Sequence, residues 1–395
     1  VTEFEIRRVS GDEMLTLFPL QSYAFGSSPE SPEELEERRK GMPYRADWTR
    51  LVAFDGTDAQ AVVVGIPMRQ NVRGKVLPML GVSGVASHPM ARRQGHIRKL
   101  LTQLHGEFRN EGSPVSTLYP FRPSFYERFG YAGFPKARKI RLFTDGLDRV
   151  ARFDLPGEVS FHRIGDVFDT WWDFNQRLLV TRHGTGEFSR ELVKQFGDDN
   201  RTWVVFARHE GEIAGALAYR TSEFGQALRV DAFLHTGPIG RTLLLQWLAR
   251  HRDQYASFEP KLAPDEKPDL WYTDVRYDDE TEIKVPTHSA PAGRILSVEG
   301  LSGITAGPAS VTVEVVDDPF VGGVWTLDGT GGALEVKPGG TPTARLTSNG
   351  LATLVYGGLD PVEIQIRGYG TVDATAAAAL RVLFPPAVPY LRAEF

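Results

Sequence analysis

Residues 81–101 read Gly81-Val82-Ser83-Gly84-Val85-Ala86-Ser87-His88-Pro89-Met90-Ala91-Arg92-Arg93-Gln94-Gly95-His96-Ile97-Arg98-Lys99-Leu100-Leu101. A run of small and apolar residues suited to a strand breaks at a basic turn containing glycine, and an amphipathic helix follows. The first turn of such a helix leaves backbone N–H groups without intrahelical partners and carries the positive end of the macrodipole. An anion is stabilised there before any side chain contributes. Arg92, Arg93, Arg98 and Lys99 add charge, and Gly95 lets the backbone come close to a ligand in a conformation closed to other residues. From the residues alone, this is either a phosphate-binding loop or an ordinary basic helix start.

A chain of 395 residues is too long for one core and predicts two to three domains. Its 41% apolar and 24% charged residues describe a soluble globular protein. The formal net charge of −5 gives no basic footprint for nucleic acid and suits a cationic substrate better. Cysteine is absent, which removes disulfides, thiolate metal sites and a cysteine nucleophile, so direct transfer is simpler than a covalent acyl-enzyme. His88, His96, His162, His183 and His235 lack metal-ligand spacing, and no metal is expected. Residues 1–8 lack the apolar core of a signal peptide, and no run approaches the ~18 apolar residues of a membrane span. No membrane partner and a cytoplasmic location are the expectation.

Upstream of the basic loop, 4–9 alternates like a strand and 14–25 has helical spacing. Residues 31–40 start with serine, proline and acids and end in bases, the charge order of a stable helix. Strands are predicted over 49–54 and 59–66 around Asp55-Gly56, then 75–85, 115–119 and 137–143, with helices over 95–110 and 124–129. A faint repeat follows. The hairpin pattern of 203–220 around Glu210-Gly211 parallels 50–69, and a strand over 227–234 and a helix over 241–252 stand where a second loop would lie. Between them, His235-Thr236-Gly237-Pro238-Ile239-Gly240 lacks the arginines, so this unit reads as a degenerate duplicate without a cofactor of its own. After Pro286 the composition shifts to Gly, Thr, Val and Ala. Short runs at 310–316, 323–327, 333–336, 344–347 and 351–356 predict an antiparallel sheet, and 373–383 an alanine-rich helix.

Arg92-Arg93-Gln94-Gly95-His96-Ile97 followed by a long amphipathic helix resembles the coenzyme A pyrophosphate loop of the GCN5-related N-acetyltransferases (GNAT), usually R/Q-x-x-G-x-G/A. Ile97 takes the place of the final small residue, as in the variant loop of the enhanced intracellular survival (Eis) family. The element order over 1–145 agrees with the GNAT order. The resemblance implies an α+β protein of mixed sheets: an active GNAT domain (1–150), a degenerate GNAT-like domain (151–288) and a sterol-carrier-protein-like domain (289–395). It further implies acetyl-coenzyme A as co-substrate, held by Val85, Ser87, Arg92, Arg93, Gln94, Gly95, Ile97 and Arg98, and a homo-oligomer, a hexamer by family likeness.

Acetyl transfer from a thioester to an amine needs an unprotonated amine, a polarised carbonyl and a proton for the departing thiolate. Tyr126, within Pro120-Phe121-Arg122-Pro123-Ser124-Phe125-Tyr126-Glu127-Arg128-Phe129-Gly130-Tyr131, matches the position of the family's general acid, with Tyr119 and Tyr131 as neighbours. The chain closes on Tyr390-Leu391-Arg392-Ala393-Glu394-Phe395, an apolar close that suggests docking. The resemblance implies that a carboxylate at Phe395 serves as base or amine anchor. Phe25, Trp48 and Glu394 are the candidate acceptor contacts. The reading is an acetyl-coenzyme A dependent N-acetyltransferase acting on a small cationic amine: an aminoglycoside, a lysine-like amine or a polyamine. The alternatives are an acyltransferase using another acyl-coenzyme A, and a lipid- or ligand-binding carrier with vestigial acetyltransferase halves. The arginine loop and Tyr126 favour an enzyme, since a carrier needs neither.

Overall fold

The computed structural model describes residues 4–221, 223, 225–285 and 288–395; residues 1–3 and Pro286, where the composition shifts, lie outside them. The first sheet contains β1 (Glu5–Arg8), β2 (Thr49–Asp55), β3 (Asp58–Val72), β4 (Lys75–Ser87), β5 (Val115–Leu118) and β6 (Ala132–Gly133). The first four pair antiparallel in chain order, and β5 lies parallel to β4. Residues 14–25 divide into a 3₁₀ segment, Gly11–Leu17, and α1 (Phe18–Ala24). Helix α2 (Pro32–Gly41) starts in a capping box in which Ser31 and Glu34 satisfy each other's backbone N–H groups, as its sequence requires. Helices α3 (His96–Asn110) and α4 (Pro123–Glu127) follow.

Alternation along β2 and β3 gives this sheet two apolar faces. Leu51, Ala53, Ala61 and Val63 bury against Leu100, Leu101, Leu104 and Phe108 of α3. Val52, Phe54, Val62 and Val64 belong to a second cluster that runs without a break into residues 295–393. The C-terminal segment thus covers a face of the first sheet and shares its core.

Two long-range exchanges depart from the sequence reading. The strand β7 (Arg138–Phe143), expected to complete the first unit, pairs in the second sheet with Ser257–Glu259, Lys261–Leu262 and Tyr277–Asp279. The place between β5 and β6 is filled by Ala292–Ile295, antiparallel to both and buried at every residue. Ile140 and Leu142 enter the second core instead. That second sheet includes β8 (Glu158–Arg163), β10 (Trp203–His209), β11 (Glu212–Tyr219) and β12 (Ala227–His235). It carries α5 (Phe168–Thr181), α6 (Arg190–Asp199) and α7 (Pro238–Ala249), while β9 (Gly186–Phe188) crosses back to pair with β3.

The third sheet differs from the antiparallel expectation in one pair: Ser310–Val316 runs parallel to Ala344–Thr347. Residues 351–356 are helical, within Ser348–Tyr356, where Thr347 caps the Gly350 N–H and every helical residue is buried. A helix buried on all sides shows no amphipathic period, so Leu351-Ala352-Thr353-Leu354-Val355-Tyr356 reads like a buried strand.

The hairpin tip between β3 and β4 is tied to this last segment. Arg73 is buried and donates to the carbonyls of Leu354, Val355 and Pro385, the first two belonging to the unpaired C-terminal end of the helix Ser348–Tyr356. His183 fastens the same junction: its Nδ1 accepts the Arg73 N–H at 3.0 Å and its Nε2–H donates to the Tyr356 carbonyl at 3.1 Å. Burial holds the imidazole neutral, with its pKa pushed down to about 4. The unfolded chain takes up a proton near pH ~6.5 that the folded chain refuses. This group's contribution is therefore complete above pH ~6.5 and is lost as the pH falls towards about 4. Unfolding free energies from urea titrations across that window are expected to fall with acidification, by up to about 3 kcal/mol for this group, and to fall less in His183→Gln. Parallel profiles for the two proteins would remove His183 as the cause.

Candidate active site

Between β3 and β4 the register passes from Val62 opposite Ala86 to Val64 opposite Ser83, so Val63 faces two residues, Gly84 and Val85. This is a β-bulge, and it bends β4. Gly84 holds it with φ +56; a Cβ there would stand 2.7 Å from Gln21 Nε2 and 2.8 Å from Val64 Cγ2. β4 keeps β5 as a neighbour only over Met79–Gly81 opposite Val115–Thr117, then continues to Ser87 without it. The strands splay, and a wedge opens along the free edge of β4.

The wedge leads to the basic loop. Arg93 has φ 65, a left-handed conformation uncommon outside glycine, and Gly95, at φ 86, caps α3. Among the described residues a Cβ at Gly95 would meet nothing within 4 Å, so the loop is open to them on that side. The first intrahelical bond runs from Lys99 N–H to Gly95 O, leaving the N–H groups of His96, Ile97 and Arg98 without helical acceptors. Arg92, Arg93, Arg98 and Lys99 are exposed, and among the described residues none has a carboxylate within ion-pair distance. The Gln94 side chain is spent on the loop itself, donating to the Met90 carbonyl at 2.9 Å and meeting His96 Nε2 at 3.3 Å. Ile97 packs against the α3 core, which accounts for an aliphatic residue at that place. Arg98 borders a separate hollow with Thr102, Arg128 and Asp318. At α7, by contrast, Gly240 lies so close to the Ala214 carbonyl that a Cβ would overlap it, and the helix start is pressed onto β11.

A cavity of about 640 Å³ occupies the wide part of the wedge and brings together Phe25, Trp48, Val85, Tyr126 and Phe395. The Phe395 ring sits at the base of the splay, edge-on to Tyr119 at 5.9 Å and to Phe188 at 6.1 Å; a Cβ on Gly81 would press on it at 3.2 Å. The chain reaches this point extended, so its side chains alternate between two faces. Leu391 and Ala393 belong to, and Phe395 packs against, the core shared by the first sheet and the C-terminal segment, whereas Arg392 bonds Asn175 at 2.5 Å and Glu394 pairs with Lys261 at 2.6 Å. Glu394, expected beside Phe25 and Trp48, therefore points away from their cavity.

The three neighbouring tyrosines differ in what their hydroxyls do. Tyr119 donates to the Leu391 carbonyl at 3.0 Å, and the Tyr131 hydroxyl lies between His105 Nε2 at 2.9 Å and Ser116 Oγ at 2.7 Å. Tyr126 is boxed by Phe121, Phe125 and Tyr131, and its hydroxyl makes no hydrogen bond among the described residues. Burial raises its pKa, so the phenol keeps its proton at neutral pH. A protonated and uncommitted O–H, carried on a buried ring and bordering a cavity, is equipped to donate.

Several lining residues were not among the sequence candidates: Gln21, Ser83, Arg45, Arg50 and, from α6, Gln195. The pattern Arg45-Ala46-Asp47-Trp48-Thr49-Arg50, with a cation on either side of a tryptophan, was the available signal for two of them. Gln195 carries none, since it arrives through the packing of α6 on Pro43–Arg45, where the Tyr44 hydroxyl bonds Asp198 at 2.7 Å. Among the described residues no group of three or more His, Asp or Glu could hold a metal, and no helix is long and apolar enough to cross a membrane.

The family model of the acetyltransferase (GNAT) domain matches residues 5–133. The N-acetyltransferase Eis of Mycobacterium tuberculosis is 36% identical over 114 residues, and that match spans 27% of this chain and 27% of the relative. Two solved structures share the fold over 100% of both chains: a GCN5-related N-acetyltransferase from Anabaena variabilis, at a TM-score of 0.86 and 18% identity, and Eis1 from Mycobacterium abscessus, at 0.76 and 17%. Residues 5–133 thus form a GNAT acetyltransferase domain, homologous to the Eis N-acetyltransferases, in a chain whose whole fold is shared with GCN5-related N-acetyltransferases of known structure.

Proposed function

We propose that the chain transfers an acetyl group from acetyl-coenzyme A directly to an amine of a small molecule. The observation that carries this reading is the uncommitted Tyr126 hydroxyl beside a splayed strand edge that leads into an open, basic helix start. In this reading the β4 edge around Val85 and Ser87 lies along the thioester arm. The N–H groups at the start of α3, with Arg92, Arg93 and Arg98, receive the pyrophosphate. The amine nitrogen attacks the thioester carbonyl, the C–N bond forms and the C–S bond breaks. The departing thiolate takes the Tyr126 proton, the proton released by the amine goes to water, and water returns a proton to the tyrosinate. A chain without cysteine suits direct transfer.

Within the same proposal, residues 1–150 supply the catalytic unit, less β7 and completed by Ala292–Ile295; 151–288, joined by β7, form a duplicate without coenzyme, and the rest of 289–395 closes the acceptor side. The start of α7, pressed onto β11, supports the silence of the duplicate. Phe395 keeps its amine-anchoring part here, supported by the position of its ring in the cavity of Tyr126.

Arg93→Glu is expected to weaken acetyl-coenzyme A binding about tenfold or more, since a pyrophosphate contact becomes a repulsion. Calorimetry on the folded variant checks this, and unchanged affinity would remove the loop from the site. Tyr126→Phe keeps shape and coenzyme affinity while turnover falls by about 10²–10⁴. Turnover within about twofold of the parent assigns the proton to solvent instead. Phe395→Ala opens the base of the wedge and should lower kcat/KM for the amine about tenfold or more through misplacement, with the coenzyme still bound. Equal loss for coenzyme and amine would make Phe395 a packing residue only.

A further inference from the structure

The acceptor cavity is walled by cations on the side away from β4. Arg38, on α2, is answered by Glu30 at 2.9 Å, and Glu37 by Lys40 at 2.6 Å. Arg45 and Arg50 have no such answer. Both are half-buried and line the cavity, yet among the described residues neither has a carboxylate within 4.0 Å. Each spends a donor on a backbone carbonyl, Arg45 on Gly41 at 2.7 Å and Arg50 on Trp48 at 3.2 Å. The Trp48 indole positions both guanidinium groups, 5.4 and 5.5 Å from its ring centre. Its own Nε1–H is buried and has no acceptor among the described residues.

Two guanidinium groups held near each other without a counter-ion repel, and burial compounds the cost. The Arg50 pKa is pushed down to about 10, first by burial and then by Arg45; Asp47 opposes this only from beyond ion-pair distance. Both side chains stay charged at neutral pH. Donors without acceptors, on a wall of unbalanced positive charge, match a bound oxyanion. They do not match a polyamine or an aminoglycoside, whose further ammonium groups would meet the same wall.

We propose that Arg45 and Arg50, spaced by Trp48, form an anion subsite, so that the acceptor is an amine bearing a carboxylate or phosphate group. The proposal rests on the acetyl-transfer reading for the fate of the amine but not for the binding of the anion, and the two are separable. Calorimetry with the full chain would compare 5-aminopentanoate, its amide, 1,5-diaminopentane and 4-aminobutylphosphonate, with thiol release from acetyl-coenzyme A followed for each. The carboxylate or the phosphonate is expected to bind about tenfold or more tighter than the amide and the diamine, the stronger of the two identifying the oxyanion. Arg50→Gln and Arg45→Gln should bring that ratio to within about threefold while acetyl-coenzyme A affinity stays, and Arg50→Lys, which keeps the charge but not the fork, should retain part of it. Equal binding of the four probes, weak or strong, overturns the subsite. So do variants that weaken acetyl-coenzyme A and leave the ratio intact, since the arginines would then serve the coenzyme. Selective binding without thiol release would leave the anion subsite standing and bring down the acetyl-transfer reading instead.

Discussion

The loss of β5 as a neighbour of β4 beyond Gly81 is the constraint around which the rest of the molecule is arranged. A parallel pair that ran the full length of β4 would satisfy its backbone groups and close the sheet. The bulge at Gly84 and Val85 turns the strand instead, and an unpaired edge is costly unless something lies along it. Everything that bears on chemistry borders the resulting wedge. The basic helix start is at its outer end, the Tyr126 phenol on its flank, and the Phe395 ring at its base.

Holding a sheet open in this way requires support from outside it. The apolar face of β2, β3 and β4 is covered by the C-terminal segment, which makes one core with it. Buried cations set the registration of the two. Arg73 caps the end of the helix Ser348–Tyr356, and Arg294, on the strand inserted beside β5, pairs with Asp318 at 2.8 Å and donates to the Phe129 carbonyl just past α4. Each such contact is expensive to leave half made, which favours a single arrangement over a sliding apolar interface. Because α4 carries Tyr126, the contact at Phe129 links the placement of the phenol to the docking of residues far along the chain.

The two helices that follow corresponding strands show how one supersecondary pattern can be turned to different ends. In α3, among the described residues, the left-handed cap at Gly95 meets no neighbour, and four exposed cations surround the first turn. In α7 the same region is consumed by packing, with Gly240 admitting the β11 backbone. A helix N-terminus attracts anions only when they can reach it. Tertiary contact removes that access in the second unit, while α6 of the same unit lends Gln195 to the cavity of the first.

Local chemistry made much of this legible in the residues. The capping box at Ser31, the amphipathic α3, the Gly95 turn with its arginines and the tyrosine-bearing helix each depend on neighbours a few positions apart, so periodicity and turn chemistry suffice to read them. The partners of a strand are another matter. Nothing within Arg138–Phe143 or Ala292–Ile295 states which sheet each joins, because that depends on which slot is vacant and which core lacks apolar volume. The helical state of 351–356, hidden by the lack of an amphipathic period, was decided by burial on every side. The same holds for direction. Glu394 and Phe395 are adjacent in sequence, yet in an extended segment lodged between two cores they serve opposite faces, and only the docked structure determines which residue meets the cavity. Sequence by itself thus determined the local elements and the chemistry they carry; tertiary structure decided their company, because long-range pairing and burial are properties of the assembled chain.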